Sequence, residues 1–268
     1  MLYYRISDKG YQKSKLIGAT KEVCLMNFCK AFSEQIFKED PEILVIADRC
    51  DRPTIKMLVD AGLPLEITDL GNAGSFRHAL KLALEREDDE LIYFCEDDYL
   101  HLGSAPQLLK EGIKRAEYVT LYDHPDKYTR LYNGGEFSKV IKTTSSHWRY
   151  TCSTCMTFGS TVKILKEDLN VWEKHTNGNH PHDHKIFTEL GEKNRRLAVC
   201  LPGVACHTDL DFSSRMGTVL IDDWAIELMI SELEFLLQSF DQEIKNSVIK
   251  DRSGWSKLVA LDALLKTK

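Results

Sequence analysis

Apolar residues in the first hundred positions form two kinds of segment that alternate along the chain. Four segments are short and rich in β-favouring residues, and two of them, 42–47 and 91–95, contain unbroken apolar runs, a pattern typical of strands buried on both faces. Between them, apolar residues recur at helical spacing; Phe76, Leu80 and Leu84, for example, share one face of a predicted helix over residues 75–87. The predicted strands cover residues 2–6, 42–47, 65–68 and 91–95, and the other two helices begin after Thr20 and at Pro53. Because this alternation needs right-handed crossovers, the sequence predicts an α/β fold with a mostly parallel central sheet flanked by helices.

In the second half of the chain the alternation is less regular. A helix over 105–115 and a strand over 118–122 continue it, but residues 128–148 are polar and contain the turn Asn133-Gly134-Gly135, which predicts a small antiparallel insert. Residues 211–268 carry an apolar stripe at helical spacing and predict C-terminal helices. The remaining predicted elements are strands over 150–158 and 197–201 and helices over 160–167 and 183–190. No segment resembles a linker, so we expect a single domain.

Composition and charge exclude several classes of protein. A formal net charge of −6 and a pI near 5.9 argue against nucleic-acid binding, because phosphate contacts need clustered Lys and Arg. No apolar segment approaches the roughly 20 residues of a membrane span, and the first residues lack the apolar core of a signal peptide. Eight cysteines, several of them within apolar periodic segments, are typical of a reducing compartment. The sequence therefore predicts a soluble, cytoplasmic protein without a transmembrane segment.

Three consecutive carboxylates, Glu96, Asp97 and Asp98, directly follow the predicted strand over 91–95. In open α/β sheets, ligands bind outside the carboxyl ends of the strands, which is where we expect these side chains. Adjacent carboxylates repel one another, and a divalent cation with oxygen ligands makes such a cluster favourable. The alternative is a solvated acidic turn after a core strand.

Two other predicted strands are followed by candidate ligand-binding residues. Asp48 ends the second strand, and the glycine-containing segment GNAG, residues 71–74, follows the third. A glycine-rich turn before a helix offers backbone N–H groups and a positive dipole to a phosphate, and Arg77 would add a forked donor. Asp48, Gly74 and Arg77 are therefore candidate nucleotide contacts. The alternative is that the glycines only cap a helix.

Four segments resemble motifs of one known family, the GT-A-fold nucleotide-sugar-dependent glycosyltransferases. GNAGSFRHAL (71–80) is similar to the glycine-containing segment and helix that precede the acidic strand in the family 2 type, and YFCEDDYL (93–100) resembles the acidic DxD motif, here EDD. HPHDHKIFTEL (180–190) resembles the xED segment, with His182-Asp183 in place of Glu-Asp. PGVACHTD (202–209) resembles the C-terminal metal-binding histidine segment, with His207 at the matching place. The likeness covers roughly residues 2–210.

This resemblance implies a metal-dependent, inverting glycosyltransferase. The sugar would move from a nucleoside diphosphate sugar to a hydroxyl group of a glycan, a lipid-linked molecule or a protein. Glu96, Asp98 and His207 would hold Mn²⁺ or Mg²⁺, a Lewis acid for the departing diphosphate, and the imidazole favours Mn²⁺. Asp97 would meet the ribose or the sugar, and Asp183 would deprotonate the acceptor as general base.

The same resemblance divides the predicted domain, residues 1–268, into three parts. Residues 1–102 would form a nucleotide-binding half, residues 103–210 an acceptor-binding half, and residues 211–268 a helical extension. Alternatives remain for single residues. Asp183 could be a helix N-cap and His207 a structural histidine, and the aromatic residues near the acceptor half could stack on sugars or pack in the core; these are Trp148, Tyr150 and Trp172.

Two other functions are compatible with the same fold class. A sugar-nucleotide pyrophosphorylase is also an α/β enzyme with metal-binding acids, but it would need a glycine-rich, basic loop after the first strand, where this chain has SDKGY at 7–11. The other is a non-catalytic glycan-binding protein with the same fold. The presence of the EDD motif together with Asp183 and His207 argues against that alternative.

Overall fold

A nine-stranded sheet organises the residues that the computed structural model describes, which are 1–10, 14–16, 18–32, 42–128 and 136–210. The strands are β1 (Leu2–Ser7), β2 (Ile43–Asp48), β3 (Leu65–Thr68), β4 (Leu91–Glu96), β5 (Tyr99–His101), β6 (Tyr118–Thr120), β7 (Val140–Lys142), β8 (His147–Thr151), β9 (Phe158–Thr161), β10 (Leu197–Leu201) and β11 (Ala205–His207). The helices are α1 (Lys21–Ala31), α2 (Arg52–Asp60), α3 (Gly71–Leu84), α4 (Ala105–Gly112), α5 (Val162–Glu167), α6 (Leu169–Thr176) and α7 (Asp183–Glu192), with a short 3₁₀ helix at Pro125–Tyr128.

Most strands of the large sheet point the same way. Its order is β3-β2-β1-β4-β9-β6-β10-β8-β7, and within it β9 and β8 run opposite to their neighbours. β5 and β11 form a separate two-stranded antiparallel sheet. The predicted fold class is confirmed: an α/β fold with a mostly parallel central sheet, flanking helices and a small antiparallel element.

The elements of the amino-terminal half lie where the sequence predicts them. β1 to β4 each begin and end within one residue of the predicted bounds. Thr20 is the N-cap of α1, and its Oγ1 accepts a hydrogen bond from the Val23 N–H at 3.2 Å. β4 lies between β1 and β9, and the side chains from Ile92 to Cys95 are completely buried. The apolar run therefore forms a central strand, as predicted.

The predicted start of α3 is wrong. The helix begins at Gly71, so the GNAG segment forms its first turn, and Arg77 lies in its second turn. Both carboxylate oxygens of Asp48 accept hydrogen bonds from this turn: Oδ1 from the Leu70 N–H at 2.6 Å, and Oδ2 from the Gly71 N–H at 3.0 Å. An acidic side chain at a helix N-terminus satisfies amides that have no partner within the helix. This contact between β2 and α3 extends the helix, and nothing local in the sequence reveals it.

The predicted strand over 150–158 is also wrong, because an irregular segment separates β8 from β9. Side chains of this segment bond to two other parts of the molecule. Ser153 Oγ accepts a hydrogen bond from Lys127 Nζ at 2.7 Å, and Thr157 Oγ1 accepts one from the Glu96 N–H at 3.1 Å. These contacts take the segment out of the sheet and connect it to the end of β4.

Both faces of the large sheet are buried. Consecutive residues of β1 show this, since Tyr4 packs in one core together with α1 and α4, and Tyr3 packs in the other together with α3, α6 and α7. Trp148 lies in the first core and Trp172 in the second, and both are completely buried. Core packing is therefore the correct interpretation for these two residues, while Tyr150 is partly buried.

Two predictions fall outside the described residues: the turn at 133–135 and the C-terminal helices over 211–268. The described part of the predicted insert is the antiparallel pair β7–β8 at one edge of the large sheet. All of the described residues belong to one compact unit, and the single domain over 1–268 stays a prediction. In the part of the chain that the structure describes, no helix combines the length and the apolar character that crossing a membrane requires.

Candidate active site at the carboxyl end of the sheet

The small sheet brings the acidic turn and the predicted histidine together. β4 ends at Glu96, and β5 follows the turn and pairs with β11, with Tyr99 opposite His207. The Thr208 N–H donates to the carbonyl oxygen of Asp98 at 2.8 Å. As a result, His207 Nε2 lies 3.4 Å from Asp98 Oδ2. Two residues that the resemblance placed in one site are thus neighbours in the structure.

The imidazole of His207 is held in a fixed orientation. The residue is 4% exposed, and its ring Nδ1 accepts a hydrogen bond from the Asp209 N–H at 3.0 Å. The ring of Tyr99 meets it edge-on, with 4.9 Å between centroids. With Nδ1 as acceptor, a neutral His207 carries its proton on Nε2, facing Asp98, and a cation bound at Nε2 would displace that proton.

The Asp98–His207 pair fits a divalent cation by donor type and by separation. Two donors at right angles on one octahedral ion, each about 2.1 Å from it, stand about 3 Å apart, close to the 3.4 Å seen here. Carboxylate oxygen and imidazole nitrogen both suit Mn²⁺. Among the described residues, no three His, Cys, Asp or Glu side chains are already gathered as a metal site, so Glu96 would have to turn towards the pair. The metal and its three ligands stay a prediction.

Two cations already lie beside the acidic turn, so its carboxylates have partners other than a metal ion to offset their mutual repulsion. Lys21 Nζ contacts the carboxylate of Asp97. Burial acts to lower the pKa of Lys21, but Asp97 together with Asp8 holds that pKa above its usual value. The buried guanidinium of Arg5 lies with Nη1 3.8 Å from Glu96 Oε1. Lys21 and Arg5 are functional candidates that the sequence analysis missed.

Asp97 and the three predicted nucleotide contacts have structural partners. Besides Lys21, the Asp97 carboxylate accepts the Ser7 N–H at 3.2 Å, and the Asp48 carboxylate caps α3. A Cβ added to Gly74 would meet the Cβ of Leu70 at 2.8 Å, so a close approach within α3 explains the glycine. Arg77 is exposed. Contact of these four residues with a nucleotide stays a prediction.

Asp183 is the first residue of α7, and His182 occupies the N-cap position. Asp183 Oδ1 accepts a hydrogen bond from the His184 N–H at 2.7 Å. The alternative that Asp183 is the N-cap residue is therefore wrong by one position, although its carboxylate still bonds to an amide of the first turn. Burial raises the pKa of Asp183, and the imidazoles of His184, His124 and His182 oppose the rise. A raised pKa makes the carboxylate a stronger base.

Cys155 lies on the irregular segment between β8 and β9. Burial raises the pKa of the Cys155 thiol, and the negative charges of Asp183, Glu96 and Asp98 raise it further. The charges of the predicted base and of two predicted metal ligands thus act on the same thiol.

The sequence analysis also missed a histidine–aspartate pair, His124 and Asp126, in the loop after β6. His124 Nδ1 lies 2.7 Å from Asp126 Oδ1, and the His124 ring packs against Tyr122 with 5.3 Å between centroids. The signal was present in the sequence, because residues 123–126 follow a predicted strand just as Glu96 does.

Comparisons with known proteins concern the fold alone. No family model matches the chain. No curated protein matches it either. Solved structures of similar fold include 4-diphosphocytidyl-2C-methyl-D-erythritol synthase from Anaerococcus prevotii (12% identity, 84% of this chain and 95% of that chain, TM-score 0.47). They also include the galactosyltransferase LgtC in complex with donor and acceptor sugar analogs (11%, 74% and 73%, 0.40) and residues 1–349 of S. aureus TarS (16%, 74% and 57%, 0.43). With TM-scores below 0.5, these likenesses assign neither a substrate nor a role to any residue of this chain.

Proposed function

We propose that the protein is a metal-dependent, inverting glycosyltransferase that uses a nucleoside diphosphate sugar. The observation that supports this most directly is the 3.4 Å contact between Asp98 and His207. It joins the strand-end carboxylates of the amino-terminal half to a histidine of the carboxyl-terminal half, at the edge of the sheet where α/β enzymes bind ligands. The metal proposed at this pair is Mn²⁺, with Glu96 as third ligand.

The chemistry needs one charge stabiliser and one base. Bound Mn²⁺ supplies Lewis-acid stabilisation of the negative charge on the departing diphosphate. Asp183 takes the proton of the acceptor hydroxyl while that oxygen forms a bond to the anomeric carbon. The bond between this carbon and the diphosphate oxygen breaks, and its electron pair leaves with the nucleoside diphosphate. The acceptor proposed is a hydroxyl of a glycan, a lipid-linked molecule or a protein.

The amino-terminal half is proposed to hold the nucleotide. Asp97, paired with Lys21, would meet the ribose or the sugar, and Arg77 is exposed and able to reach a phosphate. Asp48 and Gly74 lie where β2 meets the first turn of α3 and would form the wall of this site.

A second candidate function is nucleotidyl transfer from a nucleoside triphosphate, as in a sugar-nucleotide pyrophosphorylase. The observation that favours it is Lys21, whose Nζ contacts the Ser7 carbonyl at the end of β1 and thereby places a cation where a triphosphate would need one. Neither Asp183, the proposed base for the acceptor, nor His207 would have a role in that reaction.

Thermal unfolding with nucleotides tests the proposal and separates the two candidates. UDP, GDP, CDP and dTDP, and the corresponding triphosphates, are each added with and without MnCl₂. A ligand at a hundredfold excess over its Kd stabilises the folded state by about 2.7 kcal/mol. We expect one diphosphate to stabilise the protein only with Mn²⁺, and Asp98→Asn to abolish that stabilisation. The matched control is Asp89→Asn, which removes an exposed carboxylate before β4.

Equal stabilisation of the wild type and Asp98→Asn would contradict the proposed site. Stabilisation by a triphosphate alone, followed by pyrophosphate release when a sugar phosphate is added, would favour nucleotidyl transfer instead. The outcome that supports the proposal further is Mn²⁺-dependent release of nucleoside diphosphate from the matching nucleotide sugar.

A further inference from the structure

Arg5 places a positive charge in the buried part of β1, where a charged side chain costs free energy unless its surroundings offset it. Nη2 donates to the carbonyl oxygen of Asn72 at 2.9 Å and to Ser75 Oγ at 3.4 Å. Both acceptors are uncharged. Within the described part of the chain, the buried Nε and Nη1 atoms make no hydrogen bond. The hydrogen bonds of Arg5 therefore do not neutralise its charge.

Glu96 supplies an opposite charge. The two residues are register partners in the parallel pair β1–β4, so their side chains are neighbours on one face of the sheet. Glu96 Oε1 lies 3.8 Å from Arg5 Nη1, an ion-pair distance that is longer than a hydrogen bond. Burial lowers the pKa of Arg5, and the charge of Glu96 is the largest of those that oppose this change. Arg5 and Glu96 thus form an ion pair at the end of β4.

The Arg5–Glu96 pair lies on the face of the sheet that α3 covers. The guanidinium carbon of Arg5 is 5.5 Å from the centre of the Phe76 ring in α3. Phe94, two residues before Glu96 and so on the same face of β4, packs against Phe76 with 5.3 Å between ring centroids. Arg5 therefore holds Glu96 on the side of the second core.

The proposed metal position is on the side of the first core. The ring of His207 packs against Tyr99 and Tyr122, with centroids 4.9 and 6.1 Å apart, and both tyrosines belong to that core. Glu96 is the last residue of β4, and its side chain is 24% exposed, so it has room to turn around the end of the strand. To reach the Asp98–His207 pair, Glu96 has to leave Arg5.

We propose that Arg5 is a positioning residue that competes with the metal ion for Glu96, an inference that rests on the metal site of the proposed function. Without metal, the guanidinium holds the Glu96 carboxylate on the α3 side of the sheet. When Glu96 turns to the Asp98–His207 pair, the buried guanidinium loses this partner. That loss opposes metal binding, so Arg5 keeps the affinity for the metal below the value that the three ligands alone would give.

The first test is a double-mutant cycle of urea unfolding in EDTA, with Arg5→Met and Glu96→Gln. We expect Glu96→Gln to lower the urea midpoint of the wild type and to leave that of Arg5→Met nearly unchanged, because the charge that Glu96 offsets is then absent. Arg77→Met, at an exposed position of α3, is the control, and its effect should add to that of Glu96→Gln. Arg5→Gln replaces Arg5→Met if that variant does not fold. Additive effects of the substitutions at positions 5 and 96 would overturn the pair.

The second test measures the Kd for Mn²⁺ in the same variants without nucleotide, from the EPR signal of free Mn²⁺. We expect Arg5→Met to bind Mn²⁺ about tenfold more tightly than the wild type, and Arg5→Lys, which keeps a positive charge, to gain less. In the Glu96→Gln background, Arg5→Met should change the Kd by no more than about twofold. This comparison separates the release of Glu96 from the general effect of removing a positive charge near a cation, which would persist without Glu96.

The outcomes separate the role of Arg5 from the metal site on which it rests. Unchanged or weaker Mn²⁺ binding in Arg5→Met, or a gain that persists in the Glu96→Gln background, would overturn the competition while the metal site at Asp98 and His207 stands. If neither the wild type nor Arg5→Met binds Mn²⁺, the metal site and the role of Arg5 are overturned together.

Discussion

Carboxylates in the two halves of the molecule are held by different partners. In the amino-terminal half, Asp48 accepts backbone N–H groups and Asp97 is paired with Lys21, so their partners keep the same charge across the working pH range. In the carboxyl-terminal half, Asp126 pairs with the imidazole of His124, and Asp183 stands between two histidines in the sequence. The first arrangement suits a rigid binding surface, and the second places the proposed base beside side chains that can exchange protons.

The largest effect should come from the carboxyl-terminal half. Asp183→Asn keeps the size of the side chain and an oxygen that can accept the His184 N–H, but it removes the proposed base. A positioned general base contributes about 10²- to 10⁴-fold, so turnover should fall by that factor with little change in nucleotide affinity. Steady-state kinetics of diphosphate release measures it.

The control for this change is Glu192→Gln, which removes an exposed carboxylate at the other end of α7. Turnover within about threefold of the wild type in Asp183→Asn would show that the base lies elsewhere. Two other carboxylates of this half could then be tested as the base, although Asp123 is already engaged by Arg149 and Asp209 is buried.

In the amino-terminal half, removal of the Asp48 carboxylate should lower the stability of the protein. Asp48→Ala leaves the amides of Leu70 and Gly71 without the acceptor they have in the wild type, and a hydrogen bond to a charged group is worth about 1.5–3 kcal/mol. We expect the free energy of unfolding to fall by about 3 kcal/mol. The control is Asp51→Ala, because Asp51 is the N-cap of α2 by position but makes no side-chain capping hydrogen bond. Urea unfolding of both variants decides; equal losses would contradict the capping role of Asp48.

A buried histidine of the core, His101, should affect the pH dependence of stability, in contrast to the histidines near the proposed base. His101 is 2% exposed, and burial lowers its pKa to about 3. An unfolded histidine has a pKa of about 6.5, so below that pH the unfolded chain binds a proton that the native protein does not. Stability should therefore be greatest above about pH 6.5 and fall by up to about 1.4 kcal/mol per pH unit towards pH 3.

Chemical unfolding measured from pH 7 to pH 4 tests this dependence. His101→Gln, which keeps a polar group for the Tyr93 hydroxyl, should lose the part of the slope due to one proton. The exposed His147→Gln should retain it. The same slope in His101→Gln as in the wild type would show that other groups cause the acid sensitivity.

The smallest effects should come from two helical glycines, one in each half. A Cβ at position 74 would meet Leu70 at 2.8 Å, whereas a Cβ at position 191 meets no atom within 4 Å. Gly74→Ala should therefore destabilise the protein by about 1 kcal/mol, and Gly191→Ala should stabilise it by about 0.5–1 kcal/mol. Thermal unfolding of the pair measures the difference. Stabilisation by both substitutions would show that α3 tolerates the extra methyl group.

The sequence predicts those elements whose bounds are set by residues within or next to the element itself. β1 to β4 were predictable because each is a short run rich in β-favouring residues, and α1 because Thr20 caps it within its own first turn. The start of α3 was not, because the capping carboxylate is Asp48 on another strand. The break before β9 has the same kind of cause: side chains of Ser153 and Thr157 bond to distant loops.

The candidate site shows the same limit. Glu96 to Asp98 were found from the strand they follow, and His207 only through the family resemblance, since β5 and β11 are too short for a pattern to predict their pairing. The cations of Lys21 and Arg5 reach the acidic turn from other elements. No spacing along the chain indicates such contacts.

The central claim is that both halves of the chain bind one metal ion, through Asp98 and His207. Pulsed EPR of Mn²⁺ bound to protein with ¹⁵N-labelled histidine tests it directly, because a directly bonded imidazole nitrogen gives a ¹⁵N hyperfine coupling. We expect this coupling in the wild type and in the control His147→Gln, and its loss in His207→Gln. Mn²⁺ that fails to bind, or that binds to the wild type without a coupling from His207, would contradict the claim.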